Sequence, residues 1–140
     1  MVAATTAAPA GSAYKGYKVS NTGLVAFTLS HTYATIELDD NNDAVEFGYL
    51  PPGITVIGVI IKSADLDSAG SPALVQKITL GSTDIVTGDV TGKTGVGTIY
   101  FITPTALTAP TLVKVTSTTA AGTAAAGAQY LTFLYHSTAT

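Results

Sequence analysis

The sequence predicts an all-β protein, folded as a single antiparallel β-sandwich. The chain has 140 residues, which is the size of one domain. It contains 24 threonines beside many valines, and both residue types suit the pleated surface of a strand. Short stretches of alternating apolar and polar residues recur along the chain, and none shows sustained helical periodicity. About eight or nine short strands fit an antiparallel sandwich or barrel, and the jelly roll is the layout that we expect.

The predicted strands are separated by clusters of glycine, proline, aspartate and serine. They cover Leu24–Leu29, Tyr33–Leu38, Ala44–Leu50, Ile54–Lys62, Ala73–Leu80, Thr83–Val86, Gly97–Ile102, Thr111–Ser117 and Gln129–His136. In the third stretch, the alternation places Val45, Phe47 and Tyr49 on one face and Leu50 on the opposite face. We therefore expect a sheet with one buried face.

The stretch ITVIGVIIK differs from the others because it is apolar on both faces. Alternation divides its side chains into two sets, Ile54, Val56 and Ile60 against Ile57, Val59 and Ile61. Gly58, in the middle, indicates a bulge or the close approach of another backbone. We therefore predict that this strand supplies the core on one side, and either further core or a self-association contact on the other.

The first residues of the chain differ from the rest in composition. Residues 1–13 contain no charged or aromatic side chain, and they lack the positive start and apolar core of a signal peptide. We expect a flexible N-terminal arm over residues 1–13 and a sandwich domain over residues 14–140. Tyr14 and Tyr17 stand at this boundary and are the candidate residues for docking the arm onto a partner.

Composition excludes several classes of function. The six lysines, without arginine, face nine acidic residues, so the chain lacks the cationic surface that nucleic-acid binding needs. Because there is no cysteine, there is no disulfide and no thiolate metal site. The longest strongly apolar run, Ile54–Ile61, is far shorter than the roughly 20 residues of a membrane helix. We expect neither nucleic acid nor membrane as a partner.

The stretch GDVTGKTG, from Gly88 to Gly95, superficially matches a phosphate-binding loop. That loop needs four residues between its first glycine and the Gly-Lys-Thr, and Gly88 and Gly92 enclose only three. The motif also requires a following helix, whereas the stretch after Gly95 has the pattern of a strand. We interpret the segment as a hairpin loop and expect no nucleotide cofactor.

The stretch DDNND places Asp39, Asn41 and Asp43 at the first three ligand positions of a calcium loop. The sixth position should be glycine and is Ala44, while the twelfth should be glutamate and is Leu50. A strand-connecting turn explains these residues better, because Asn and Asp bond their own backbone in turns. We predict no metal site.

The chain offers little material for catalysis. The histidines, His31 and His136, are far apart in the sequence, and no nucleophile-elbow motif is present. Asp65 and Asp67 could form a carboxylate pair on one strand face, but they lie beside Ser-Ala-Gly-Ser-Pro, which favours a solvated turn. We predict that the protein is not an enzyme.

One longer pattern resembles a known family. The stretch NDAVEFGYLPPGITVIGVIIKSADLDS runs from an Asn-Asp turn through an alternating strand, Leu-Pro-Pro-Gly and an apolar strand to Asp-Leu-Asp-Ser. A later Leu80-Gly81 before Thr83-Asp84, and a closing AAAGAQYLTFLYH, continue it. Over most of residues 20–136 the chain is similar to the head decoration, or cement, proteins of tailed bacteriophages. These motifs consist of turns and strand ends and not of catalytic residues.

The resemblance implies a β-sandwich or jelly-roll protein that binds the outer surface of an expanded capsid and stabilises it without a cofactor. It implies the major capsid protein as partner, a homotrimer at a symmetry axis of the shell, and assembly onto the virion in the host cytoplasm. The apolar strand Ile54–Ile61 would then contribute to the core and to subunit packing.

An alternative from a different class stays open. A carbohydrate- or receptor-binding β-sandwich of a phage fibre or tail could use the seven tyrosines as stacking platforms for sugars. Against this alternative, the chain lacks tryptophan, the preferred sugar platform, and most of the tyrosines fall at strand positions where core packing explains them. A glycan array probed with the pure protein separates the two hypotheses.

Overall fold

The computed structural model describes residues 23–137, so the predicted arm and its candidate residues Tyr14 and Tyr17 lie outside the described part. The strands are β1 Val25–Tyr33, β2 Asp43–Leu50, β3 Ile54–Ser63, β4 Val75–Leu80, β5 Thr83–Asp89, β6 Thr98–Leu107, β7 Thr111–Thr119 and β8 Gly127–Ser137. A 3-10 helix, Thr35–Glu37, follows β1, and a single-turn helix, α1 Thr91–Thr94, follows β5. Within residues 23–137, no helix has the length and apolar character needed to cross a membrane.

The strands form two four-stranded antiparallel sheets. Sheet I has the order β1-β8-β3-β6, and sheet II has the order β2-β7-β4-β5. The chain therefore crosses between sheets along most of its length, and each pair of sequence neighbours except β4 and β5 is divided between them. This order is that of a jelly roll, so the predicted fold is confirmed.

The core lies between the inner faces of the two sheets. It is built mainly from leucine, isoleucine and valine, with Phe133 and Tyr33 as its largest fully buried side chains. In β7, Val113 and Val115 are buried while Lys114 between them is half-buried, as the alternation of a regular strand requires.

A glycine bulge in β2 reverses the predicted faces at its end. The register with β7 shifts between Glu46 and Gly48, and Gly48 has φ +138°, a conformation open to glycine. After this extra residue, Leu50 points into the core and is fully buried, whereas Tyr49 is 61% exposed. The prediction that Tyr49 shares the face of Phe47 is therefore wrong.

A second bulge does the same in β3. In the register with β8, Val56 and Gly58 face the adjacent residues Tyr135 and Leu134, so Ile57 is an extra residue in β3, which agrees with the bulge expected at Gly58. The core consequently receives Ile54 and Val56 from before the bulge and Val59 and Ile61 from after it. Ile57 and Ile60 are half-buried and lie outside that core. The division of these six residues into two alternating sets is therefore wrong.

Two loops also differ from the prediction. The segment Tyr33–Leu38 is not a strand beyond Tyr33, because the Ala34 N–H donates to Glu37 Oε1 at 3.2 Å and the Glu37 N–H to the Ala34 carbonyl at 3.0 Å. These bonds close a 3-10 turn and bury Leu38 completely. The predicted hairpin loop after β5 contains the helix α1, which ends at Gly95 in a left-handed conformation.

Candidate functional site

Four connections meet at one end of the sandwich: residues 34–42, 64–74, 90–97 and 120–126. Backbone hydrogen bonds tie them together. The Ala121 N–H donates to the Leu38 carbonyl at 2.9 Å, and the Leu66 N–H donates to the Gly92 carbonyl at 2.7 Å. We call these four connections the loop end. Because its backbone groups are paired with one another, it is an ordered surface.

Asp67 is the centre of the loop end. Asp67 is only 1% exposed. Its carboxylate accepts hydrogen bonds of 2.7–3.2 Å from five backbone N–H groups, those of Ala69, Ala73, Leu74, Gly122 and Thr123. Burial raises the pKa of this carboxyl, but the hydrogen bonds outweigh burial and hold the pKa well below its usual range. Asp67 thus fastens the connection after β3 to the connection after β7.

The structure does not make Asp65 and Asp67 a catalytic pair. Asp65 is exposed, and its Oδ1 accepts the Asp67 N–H at 3.1 Å. The prediction of a solvated turn fits Asp65 but is wrong for Asp67, which is buried. The available signal was the run of small residues after Asp67, whose backbone can fold around a carboxylate.

A second buried carboxylate, Asp89, lies at the end of β5. Its Oδ1 accepts the Thr91 hydroxyl at 2.6 Å, the Thr91 N–H at 3.2 Å and the Tyr100 hydroxyl at 2.9 Å. Burial, together with the hydrogen bond to Asp89 and the negative charge of Asp89, raises the pKa of Tyr100 to about 12. This network joins β5, α1 and β6 by side chains.

In the Tyr100→Phe variant, the free energy of unfolding is expected to fall less steeply than in the wild type as pH rises above about 10. A tyrosine whose folded pKa exceeds the unfolded value of about 10 contributes stability below that value, and the contribution disappears as pH rises towards about 12. Urea denaturation across this range measures the slope. Tyr130→Phe, at an exposed position on β8, is the matched control. An unchanged slope in Tyr100→Phe contradicts the assignment.

Three polar side chains form a closed ring inside the core. The Tyr33 hydroxyl donates to Gln129 Oε1 at 3.1 Å, Gln129 Nε2 donates to Gln76 Oε1 at 3.0 Å, and Gln76 Nε2 donates to the Tyr33 hydroxyl at 3.3 Å. Burial raises the pKa of Tyr33 above its usual value, although the bond from Gln76 counteracts it. Each member donates once and accepts once, so all three hydrogen bonds of the ring join buried side chains to one another.

The two histidines are not brought together. His31 Nε2 lies 2.8 Å from Glu37 Oε1, and the His31 ring packs edge-on against Tyr33 with centroids 4.9 Å apart. The hydrogen bond from His31 is the largest influence on the pKa of Glu37 and lowers it. His136 pairs with Thr55 on β3, whereas His31 pairs with Gln129, at the opposite end of β8. No histidine-based acid–base site follows from this arrangement.

The segment DDNND forms a turn before β2, as predicted. The carboxylate oxygens of Asp39, Asp40 and Asp43 lie within 4.8 Å of one another near the surface. Asn41, the second expected ligand, instead accepts the Ala120 N–H at 2.7 Å, and Asn42 adopts φ +71°. These residues join the connection after β1 to the connection after β7, which explains them as structural.

Apolar side chains collect on the outer face of sheet I. The strand register places Phe101, Gly58, Leu134 and Ala26 in one row across the sheet, and Ile99, Ile60, Thr132 and Thr28 in the next. Phe101 is 81% exposed and Ile99 56% exposed. Neither row contains a charge. We call the surface formed by Ile60, Ile99, Phe101 and Leu134 the Phe101 face.

Comparisons with known proteins identify the fold at the level of solved structures. No protein-family model matches the chain, and no curated protein sequence matches it. A chain of the cyanophage Pam1 capsid asymmetric unit is similar, with a TM-score of 0.72 and 22% sequence identity over 97% of this chain and 99% of that one. A chain of the capsid of Ralstonia phage GP4 has a TM-score of 0.67 and 18% identity over 84% of this chain and 86% of that one.

At these identities the shared property is the fold, and it extends over nearly the whole of the Pam1 chain. The correspondence therefore concerns the complete jelly roll and not an isolated motif. Both of these chains come from phage capsid structures.

Proposed function

We propose that the protein is a structural component of a phage virion, a decoration protein that binds the outer surface of the expanded capsid and stabilises it without catalysis. The observation that carries the proposal is the fold correspondence with a chain of the Pam1 capsid over 97% of this chain and 99% of that one. The proposed partner is the major capsid protein, the proposed assembly is a homotrimer, and the proposed location is the capsid surface after assembly in the host cytoplasm.

The polar interior supports a structural role. The buried carboxylates of Asp67 and Asp89 accept hydrogen bonds from the protein's own backbone and side chains. Their oxygens therefore hold parts of the fold together. The ring of Tyr33, Gln76 and Gln129 is closed on itself. Polar groups used in this way stiffen loops and core, and a rigid scaffold suits a protein that must resist deformation of a shell.

Co-sedimentation with capsids tests the proposal. Expanded capsids that lack this chain, prepared from a phage in which its coding sequence is deleted, are mixed with the purified chain and pelleted. We expect saturable binding, and decorated particles that release DNA at a higher temperature than bare ones. A chain that stays in the supernatant at every concentration, with virions that do not contain it, contradicts the proposal.

Deleting residues 2–13 is expected to weaken capsid binding while leaving the melting temperature unchanged. These residues lack charged and aromatic side chains, so they contribute little to a core. Any contact they make must also offset about 1–2 kcal/mol of backbone entropy for each residue ordered. The same sedimentation assay measures the effect, and a variant with residues 2–13 in scrambled order is the control. Equal occupancy of deleted and full-length chains assigns the contact to the sandwich.

The two exposed tyrosines among residues 23–137 disfavour the sugar-binding alternative. Tyr49 lies on β2 at the edge of sheet II, whereas Tyr130 lies on β8 inside sheet I. Because they belong to different sheets, they do not form one stacking platform. Binding of the pure chain to a defined glycan on an array, abolished by Tyr49→Ala or Tyr130→Ala, favours the alternative.

A further inference from the structure

The edge strand β1 leaves part of the core face of sheet I incompletely covered. Among residues 23–137, β1 pairs with β8 alone. Phe27 and Leu29 of β1 pair with Phe133 and Leu131 of β8, which are fully buried, yet they are themselves only half-buried. Val25, at the start of the same inward row, is 43% exposed. The side chains that β2, an edge strand of sheet II, turns inward are buried, so the gap is specific to β1.

The residues directly before β1 have the sequence of a β-hairpin. The chain reads YKGYKVSNTGLVAF over residues 14–27. A three-residue hairpin loop takes glycine at its third position, where the backbone is left-handed, and Asn21-Thr22-Gly23 meets this requirement. A two-residue loop of Asn21 and Thr22 would instead force the β-branched threonine to a positive φ. Because consecutive strands usually pair, the first candidate to lie beside β1 is the segment that leads into it.

We propose that residues 14–20 form an additional strand of sheet I, paired antiparallel with β1 of the same chain. The three-residue loop sets the register, in which Tyr17 lies opposite Phe27 and Val19 lies opposite Val25. Residues opposite each other share a face, so Tyr17 and Val19 fall on the core side and cover the incompletely buried row.

The charges of the segment fit this register. Lys18 lies on the outer face, whereas a shift by one residue would turn it towards the core, where a charge is costly. Lys15 falls opposite Leu29, on the side of the sandwich where β1 lies against β2. Glu37 and Glu46 line a groove on that side. The aliphatic stem of Lys15 can cover Leu29 while its ammonium group points to these carboxylates, so this side suits a basic segment.

The inference deepens the proposed function, and it rests on that function only for the identity of the partner. Because residues 14–20 run antiparallel to β1, Tyr14 lies near the last residues of β1, which lead into the loop end. The arm of residues 1–13 therefore leaves the sandwich beside the loop end, and we expect the capsid contact there. Of the two candidate docking residues, Tyr17 belongs to the protein's own core and Tyr14 remains on the outer face.

Disulfide trapping tests the pairing in the absence of capsids. The chain has no cysteine, so two introduced cysteines report only on each other. Gly16→Cys with Thr28→Cys occupies opposite positions in the proposed register. The control, Gly16→Cys with Thr32→Cys, uses a second exposed threonine of β1 about 13 Å further along the strand, beyond the reach of a disulfide. We expect the first pair to oxidise within one chain and the control pair to stay reduced.

The other outcomes of the trapping experiment overturn the inference. An unpaired segment would oxidise the two pairs at rates within about twofold of each other, because loop closure depends weakly on length. Oxidation of neither pair excludes the hairpin. A product of twice the chain mass on a non-reducing gel assigns the edge of β1 to a second copy.

Tyr17→Asp is expected to lower the melting temperature by about 5 °C or more, because it places a charge on the core face. Tyr14→Asp, the matched control on the outer face of the same segment, should shift it by no more than about 1 °C. Equal shifts contradict the core position of Tyr17. If both experiments succeed but the chain never binds capsids, the pairing holds and the proposed function fails; if they fail while capsids are bound, the proposed function holds without the hairpin.

Discussion

Asp67→Ala is expected to lower the free energy of unfolding by about 3–5 kcal/mol, a large share of the roughly 5–15 kcal/mol that stabilises a small domain. The carboxylate accepts five backbone N–H groups from two connections of the loop end. Alanine removes the acceptor for all five. Urea denaturation at neutral pH measures the loss, and we expect a decrease of about 10 °C or more in the melting temperature.

Two further variants identify the cause. Asp67→Asn preserves the shape but turns one oxygen into a donor facing N–H donors, so we expect a loss nearly as large as with alanine. Asp40→Asn, at an exposed position of the DDNND turn, should change the free energy of unfolding by no more than about 0.5 kcal/mol. A small effect of Asp67→Asn would mean that shape alone holds the two connections together.

Asp67 also makes the free energy of unfolding depend on pH in the acidic range. The folded pKa of Asp67 is depressed, so its contribution to stability is present above the unfolded pKa of about 4 and is lost as pH falls towards the folded pKa. Asp67→Asn should therefore lose less stability than the wild type between about pH 4 and about pH 2. Parallel decline of both proteins contradicts the assignment.

The existence of the strands could be predicted from the sequence because period-two burial is a local property. Their faces could not be predicted past Gly48 and Gly58, because a bulge adds one residue and reverses every later side chain. The sequence did indicate a bulge at Gly58. Which of the later side chains such a bulge turns towards the core depends on the partner strands. Simple alternation therefore placed Ile54 and Val59 on opposite faces, although both fill the core.

The polar networks of the candidate site were not predictable because they join distant parts of the chain. Tyr33 and Gln129 are 96 residues apart, and Asp67 accepts from Thr123, 56 residues away. The Asp65–Asp67 spacing was visible in the sequence, but burial of one carboxylate and exposure of the other depend on the folding of the connection after β7. Only the topology of the jelly roll brings that connection to Asp67.

Gln76→Met is expected to cost about 2–4 kcal/mol, although methionine has nearly the same volume and shape as glutamine. The substitution leaves Gln129 Nε2 without its acceptor and the Tyr33 hydroxyl without its donor, and both side chains are buried. An unsatisfied buried group typically costs about 1–3 kcal/mol, so two of them account for the expected effect. Urea denaturation measures it, with Lys77→Met on the same strand as a control at a half-buried position.

The triple variant Tyr33→Phe, Gln76→Met, Gln129→Met is expected to be more stable than Gln76→Met alone, within about 1–2 kcal/mol of the wild type. Removing all three polar groups leaves no member of the ring unsatisfied and preserves the packed volume of the core. The difference between the triple variant and the sum of the three single variants then measures the coupling within the ring. If the three costs simply add, the members are satisfied independently, and the ring is not the unit that stabilises this part of the core.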